Sequence, residues 1–431
     1  MSAKNIKSLK KVKNIEVTFL DINNKVKVLT IPKSRLSYAI KNGLKFDGSS
    51  ISKMKNVSSS DMKLFLDLNS QYLLPNENLL VFANTDYNYD ARKNLLQLER
   101  DLKDKNIKVN VGAELEFFLF DYRLKTIFDK HQKSLSKKQI KIFLKKQFLV
   151  HNIQNYSYDR NINQTITQIF DNLKYFDCDD DKYFKVLNDI TEFCEGSKIK
   201  IEQFHHECGS NQFEIDFKYD SPTKTADNVV YLKKIITFFA KKYELFACFL
   251  PKPLKQESGS GMHINISAYN GNNNIFYNPK DKFNLSVLAY NFVDGIFKHI
   301  NSITAIANPI KNSYQRLLAG CETPTKIDCN LDDRTSLIRI PSANELSTRI
   351  ELRSPDISCN PYLTFLAVIN SGFEFLLNKD FKYKKNKYTK QNKLPKNLKQ
   401  AKKHLKNDVY LSKIVPQILC KWLVFITFRF F

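Results

Sequence analysis

Five apolar, strand-like stretches of this chain carry charged or polar side chains two residues apart, and this pattern constrains the fold more than any other feature. VGAELEFFLF holds Glu114 and Glu116, and HHECGSNQFEIDF holds Glu207, Glu214 and Asp216. MHINIS offers His263, Asn265 and Ser267, SLIRIP offers Arg339, and TRIELRS offers Arg349, Glu351 and Arg353. Successive strand side chains point to opposite faces, so each polar set lines one surface while apolar neighbours fill a core behind it. Carboxylates in strands this hydrophobic need their charge compensated by a divalent cation, an arginine or both. The pattern implies an enzyme pocket that handles metal and phosphate. The polar faces are spread over some 240 positions. They can meet only if their strands form one curved sheet or partial barrel.

Charge is a weaker guide. The 431-residue chain has a formal net charge of +24, but lysine is spread evenly among abundant Asn, Ile, Phe and Tyr, and glycine numbers only 11. That drift fits an AT-biased coding sequence, and no RNP, zinc-finger or helix-turn-helix motif accompanies it, so no specific nucleic-acid partner is expected. The densest run, Lys382 to Lys406, reads as a solvated loop and helix face. The eight cysteines form no CxxC pair, and no signal peptide is evident, so a reducing cytoplasm is the expected location. The apolar tail ILCKWLVFITFRFF is interrupted by Lys421 and Arg429. A bilayer span needs about 20 apolar residues, so no membrane crossing is expected.

Positions 14 to 90 read as short strands, among them IEVTFLD, KVKVLTIP and LLVFANTDY, before a helix near 93–104. The spacing predicts an N-terminal β-rich domain over 1–100 and a larger domain over 101–431, an α+β organisation. Helices are expected near 184–196, 223–243, 280–307, 360–377 and 395–413, with the polar strands between them. Positions 130–173, rich in Lys, Gln and Asn, read as an inserted segment.

Glu-x-Glu alone also suits the solvent face of an edge strand, but Phe118 and Phe120 continue the glutamate face here. HHExxxxxxE is more specific. It lacks the helical HExxH of zinc proteases, and its carboxylate-rich donor set favours Mg²⁺ or Mn²⁺. SGSGMH suits either an ordinary turn or a loop whose Gly259 and Gly261 admit a ligand to the backbone. No GxxxxGK[ST] occurs, so a bound nucleotide is not held by a Walker loop. Arg316, Arg334, Arg339, Arg349 and Arg353 fall close together, and their planar forks suit carboxylate and phosphoryl oxygens.

Seven motifs, FDGSSI, VGAELEFFLF, HHE…QFEIDFKY, PKP…GSGMH, NPIKNSYQRL, RTSLIRIP and STRIELRSPDISCNPYL, resemble in order and spacing those of bacterial type I glutamine synthetase. The resemblance runs from about residue 14 to 378. It implies a β-grasp module, then a catalytic domain with a curved antiparallel sheet flanked by helices. It also implies active sites shared between neighbours in a homo-oligomer, the family norm being a dodecamer of two hexameric rings. The implied substrates are L-glutamate, ammonium and ATP, with two Mg²⁺ or Mn²⁺ per site.

By position, Glu116, Glu207 and Glu214 resemble the ligands of one cation, and Glu114, His263 and Glu351 those of the second. Arg316 and Arg353 match the residues that hold glutamate, with Ser258 and Gly259 beside its α-amino end. Arg334 and Arg339 match those that steady the transferring phosphoryl group. Asp47 matches the carboxylate a neighbouring subunit presents to ammonium, and Glu322 the flap glutamate. His205, Ser267, Tyr219 and Arg349 fall where the family contacts ATP.

The chain also departs from the family pattern. Ser258 replaces a usual Asn, the flap LLAGCET lacks a usual proline and aromatic, and Asn56 stands where low-GC relatives carry a feedback-sensing arginine. Residues after about 408 do not resemble the family's ring-locking helices, so weaker ring stacking is expected. Two alternatives remain at this level: a γ-glutamyl ligase for a larger amine such as a polyamine, and a non-catalytic regulatory relative.

Overall fold

The alternation of apolar residues along IEVTFL and VKVLTIP pairs them as antiparallel strands β1 (Asn14–Leu20) and β2 (Val26–Pro32). They belong to a five-stranded N-terminal sheet completed by β3 (Leu44–Asp47), β4 (Asp61–Leu73) and β5 (Leu79–Thr85), in the order β2-β1-β5-β4-β3. Its one parallel pairing, β1 with β5, closes the sheet across the intervening chain. Ile15, Val17, Leu64 and Val81 fill the core on its inner face, and helix α1 (Leu36–Asn42) caps it through Leu36 and Ala39. The computed structural model describes residues 12–21, 25–51, 54–131, 133–140, 142–143, 170, 173–178, 182–197, 199–318, 323–377 and 393–415.

The second sheet carries the polar strands. Its main path is β12 (Cys329–Leu331), β13 (Ile338–Ile340), β14 (Ile350–Leu352), β10 (Ile264–Asn270), β6 (Lys108–Asp121), β8 (Gln212–Phe217) and β7 (Ile201–His206). The short strands β9 (Leu245–Cys248) and β11 (Asn273–Asn274) pair with β6 and β10. All pairings are antiparallel except β12 with β13. The fold is α+β: a β-grasp module leads a curled, half-barrel antiparallel sheet flanked by helices.

Strand β6 organises this sheet because both of its faces are used. Leu115, Phe117 and Leu119 enter the main core, while Phe118 and Phe120 on the glutamate face enter a second core with Phe128 and Phe246. The expected continuation of that face is therefore correct, and it anchors the strand that carries Glu114 and Glu116. One strand passes from carboxylates to close-packed aromatics within two residues. Each fully buried phenylalanine is worth roughly 2 kcal/mol against exposure.

The helices fall close to their expected positions, with local corrections. The helix expected over 280–307 begins at Val287, because Ser286 accepts from the amide of Ala289 and ends the preceding turn. The expected 360–377 helix divides into Pro361–Gly372 and Glu374–Leu377 at Phe373. HHECGSNQFEIDF is not one strand but a hairpin of β7 and β8, turned at Gly209–Asn211, where Asn211 adopts φ +62°. Asn tolerates that left-handed conformation better than most side chains.

A buried polar network joins the two sheets. Arg92, in helix α2 (Ala91–Lys103), grips Asp227 of helix α3 (Pro222–Lys242) through Nε and Nη2 at 2.8 Å each, and Asp67 of β4 at 2.7 Å. Tyr362 donates to the same Asp227 carboxylate at 2.5 Å. Among the described residues no helix is long and apolar enough to cross a membrane. The apolar tail expected to be atypical lies, beyond residue 415, outside them, as does most of the inserted 130–173 segment.

Candidate active site

Registry across the sheet assembles the cleft. Asn265 of β10 lies opposite Gly112 of β6 on one side and Glu351 of β14 on the other. This brings Glu114, His263 and Glu351 together, with ligand atoms all within 4.8 Å of one another. His263 Nδ1 lies 2.8 Å from Glu114 Oε2, and the Asn265 amide donates to Glu114 Oε1 at 2.8 Å. Burial alone would raise the Glu114 carboxyl. Bonds from His263 and Asn265, with the charge of Arg353, outweigh that and hold it below its ordinary range.

On the other side of β6, Glu116 faces Glu214 and Glu114 faces Asp216. His205 of β7 pairs with Glu214, its Nε2 3.6 Å from Glu214 Oε1 and its Nδ1 3.7 Å from Glu207 Oε1. Glu116, Glu207 and Glu214 all line the cleft. The close-set donor group here is, however, His205, Glu214 and Asp216, within 4.8 Å of one another. Glu116 is turned toward the glycine loop and accepts from the Gly261 amide at 2.8 Å. Glu207 sits in the hairpin turn rather than on a strand, with its Oε2 accepting from the Cys208 amide at 3.1 Å.

Asp216 was visible in the sequence two places after Glu214, but it was not among the expected ligands. Its Oδ1 is buried without a hydrogen-bond partner, while Oδ2 accepts from Gln203 at 2.6 Å. Burial, and then the neighbouring carboxylates, raise both the Glu214 and the Asp216 carboxyls. A bound dication would reverse that penalty, and the hard oxygen donors with one imidazole on each side fit Mg²⁺ or Mn²⁺. The residues present therefore fit the implied cations.

The arginines line the same cleft, with Arg339 beside Glu351 on the neighbouring strand. Arg316 is buried, and its guanidinium donates to the carbonyls of Ser354 at 2.9 Å and Arg353 at 3.2 Å. A Cβ on Gly259 would lie 2.6 Å from Arg316 Cγ, and one on Gly261 would lie 2.6 Å from its Nη2. A Cβ on Gly259 would also meet the Pro251 carbonyl at 2.7 Å, so close packing excludes a side chain there in addition to the ligand approach expected for this loop. Glu351 is held between Arg339, at 2.8 Å, and Arg353. Arg353 Nε also donates to the Arg334 carbonyl at 2.9 Å. Arg339 Nε remains buried without a partner, an orphaned donor suited to an anion. All four arginines line the same cleft of about 480 Å³, with Ser258, Gly259, His205, Thr323 and Tyr175. Tyr175 went unread because it follows the inserted segment.

A second cleft of about 600 Å³ shares Glu114, Gln203 and Asp216 with the first, and holds Tyr219, Ser267 and Arg349. The residues expected near adenosine and those expected near phosphate and metal thus occupy adjoining spaces. Asp47 lies elsewhere, exposed at the end of β3. It accepts from the Ser49 amide at 2.8 Å and from the Ser49 and Ser50 hydroxyls. These bonds, the Ser49 hydroxyl first, hold its carboxyl at about 2. Glu322 lies outside the described residues.

Comparison with known proteins agrees with this geometry. Residues 11–85 match the family model for the glutamine synthetase beta-Grasp domain, and residues 88–425 that for the glutamine synthetase catalytic domain. A glutamine synthetase of Methanosarcina mazei is 35% identical over 380 residues, covering 85% of this chain and 77% of that one. One from Staphylococcus aureus is 32% identical over 381 residues, with the same coverage of 85% and 77%. Among solved structures, a Plasmodium falciparum glutamine synthetase superposes with TM-score 0.79 at 23% identity, over 98% of this chain and 93% of that one. A structure described as a GmaS/ADP complex gives 0.76 at 22% identity, over 98% and 94%. With both domain models matched in sequence and the polar strands gathered at one cleft, the chain belongs to the glutamine synthetase family and is a ligase.

Proposed function

We propose that this chain is a bacterial type I glutamate–ammonia ligase, joining ammonia to L-glutamate through γ-glutamyl phosphate with ATP as the phosphoryl donor. The observation that carries the reading is one cleft lined by Glu114, Glu116, Glu207, Glu214, His263 and Glu351 together with Arg316, Arg334, Arg339 and Arg353. A carboxylate is a poor electrophile, so glutamate must be activated before an amine can displace anything from it. Bringing ATP to glutamate crowds negative charge, which the four arginines of this cleft would offset.

Members of the family use ATP and divalent cations. Glu114, His263 and Glu351 would hold one cation, and Glu214 the second, with Glu116, Glu207, His205 and Asp216 around it. Bound cations supply charge neutralisation and polarise phosphoryl oxygens. Arg316 and Arg353 would orient glutamate, and Arg339, through its unpartnered Nε, would take a phosphoryl oxygen together with Arg334. Tyr219, Ser267 and Arg349 would line the adenosine end, with His205 toward the phosphates. Glu322 would close over the intermediate and exclude water.

Asp47 is exposed and is not among the residues lining the cleft of its own chain, which supports its use by a neighbouring subunit in a ring. Its low pKa keeps it anionic, as ammonium capture requires. The test is an assay with ATP, glutamate and Mg²⁺, offering ammonium or a polyamine as nucleophile. Glutamine formed with release of phosphate supports the reading, and turnover only with the larger amine would replace it.

A further inference from the structure

We propose that Asn265 is a positioning residue that couples the nucleotide cleft to the cation cluster, an inference that rests on the reading above. Its side chain bonds two groups assigned to different ligands. Nδ2 donates to Glu114 Oε1 at 2.8 Å, and Oδ1 accepts from Arg349 Nε at 3.0 Å. The orientation of the amide follows from chemistry, since an ionised carboxylate only accepts and a guanidinium only donates. An amide supplies one donor and one acceptor in the required order. Aspartate would set a carboxylate against Glu114, and leucine would bond neither partner.

The backbone places Asn265 where this matters. It lies opposite Glu351 on β14 and opposite Gly112 on β6, within the strip of sheet that carries the cluster. Glu114 is held at both oxygens, Oε1 by Asn265 and Oε2 by His263. Glu114 also lines both clefts, whereas Arg349 lines only the second. Without the Asn265 donor, Oε1 loses its partner and the carboxylate is free to rotate away from the geometry a cation needs. Movement of Arg349 on a nucleotide would pass to Glu114 through one side chain.

The experiment measures Mn²⁺ binding to the full chain without nucleotide, by electron paramagnetic resonance, in the wild type, Asn265→Leu, Arg349→Leu and the double variant. Asn265→Leu is expected to weaken one class of Mn²⁺ site about 10–100-fold, the range for partners that orient a ligand, and to leave the other class unchanged. Arg349→Leu is expected to weaken the same class by a smaller factor, and to add nothing once Asn265 is leucine. Wild-type binding in Asn265→Leu, or an equal effect of Arg349→Leu in both backgrounds, overturns the proposal. Should the leucine variant fail to fold by circular dichroism, Asn265→Ser, too short to bridge, is read in its place against the same outcomes. Nucleotide-free Mn²⁺ binding does not depend on which amine is ligated. A chain that shows the coupling but forms no glutamine would overturn the ligation reading and leave the role of Asn265 standing.

Discussion

The imidazole Nδ1 of His263 lies 2.8 Å from Oε2 of Glu114, across the antiparallel pairing of β10 with β6. Strand β6 and the start of β10 fix both backbones, with the Glu114 amide donating to the His263 carbonyl at 3.2 Å, and hydrogen bonds then orient the two side chains. The remaining imidazole nitrogen, Nε2, is 3.7 Å from Glu116 Oε1 and faces the cleft. A cation that binds the folded chain alone, at 100 times its dissociation constant, stabilises it by about 2.7 kcal/mol. Mg²⁺ or Mn²⁺ is therefore expected to raise the thermal midpoint of the wild type by a few degrees and that of Glu114→Gln by much less. Equal midpoint shifts in the two proteins would remove Glu114 from the cation site.

Arg353 tests the proposed binding of glutamate. In the structure its fork engages the Arg334 carbonyl and the Glu351 carboxylate at once. Lysine keeps the charge but loses the second direction of bonding. Arg353→Lys is expected to raise KM for glutamate at least tenfold while changing KM for ATP by no more than about twofold. Parallel changes in both constants would place Arg353 in general support of the cleft.

Much of this site was legible because strand periodicity is rigid. Once Leu115 and Phe117 are core, Glu114 and Glu116 must share the other face, and the same logic sets His263, Asn265 and Ser267. Two kinds of relation were not legible. One is what crosses the sheet: that Glu351 is shared by Arg339 and Arg353, or that His205 and Asp216 meet at Glu214, depends on register between strands remote in sequence. The other is the hairpin that takes Glu207 off the strand. Its Gly209-Ser210-Asn211 turn signal was present, but it was outweighed by the apolar residues around it. The packing role of Gly259 was hidden for the same reason, since Arg316 lies more than 50 residues away in sequence.

Asp47→Asn separates nucleophile handling from phosphoryl transfer. Asp47 both caps a local turn, accepting from Ser49 and Ser50, and presents an exposed carboxylate. Ammonium needs an anion to bind it and accept its proton, whereas hydroxylamine is mostly neutral at neutral pH. If Asp47 serves ammonium, the variant loses ammonia-dependent synthesis by a factor of about 10²–10⁴ while retaining far more hydroxylamine-dependent activity. Equal losses with both nucleophiles would assign Asp47 to the turn alone.

His299 allows a test of stability that is independent of catalysis. It is buried in the Val287–Ala307 helix, with Nδ1 2.7 Å from Asp408 and Nε2 3.0 Å from Glu374, so it pins the 393–415 segment to the core. Burial alone would lower the imidazole pKa, but the two carboxylates outweigh it and raise it above 6.5. The same contacts, joined at Glu374 by a bond from Lys298, hold Glu374 and Asp408 against burial below their ordinary values of 4.5 and 3.8. A raised imidazole stabilises the fold fully below 6.5, and this is lost as pH rises through the folded value. Depressed carboxylates stabilise it above their ordinary values, and that is lost as pH falls through the folded ones. The two effects coincide between about pH 5 and 6.5. His299→Gln should therefore cost most near pH 5.5, on the order of 1–3 kcal/mol for a buried charged hydrogen bond, with the gap to wild type narrowing toward pH 9. Urea unfolding at both pH values measures it, and a gap that stays constant would mean that His299 is neutral in the fold and acts by shape alone.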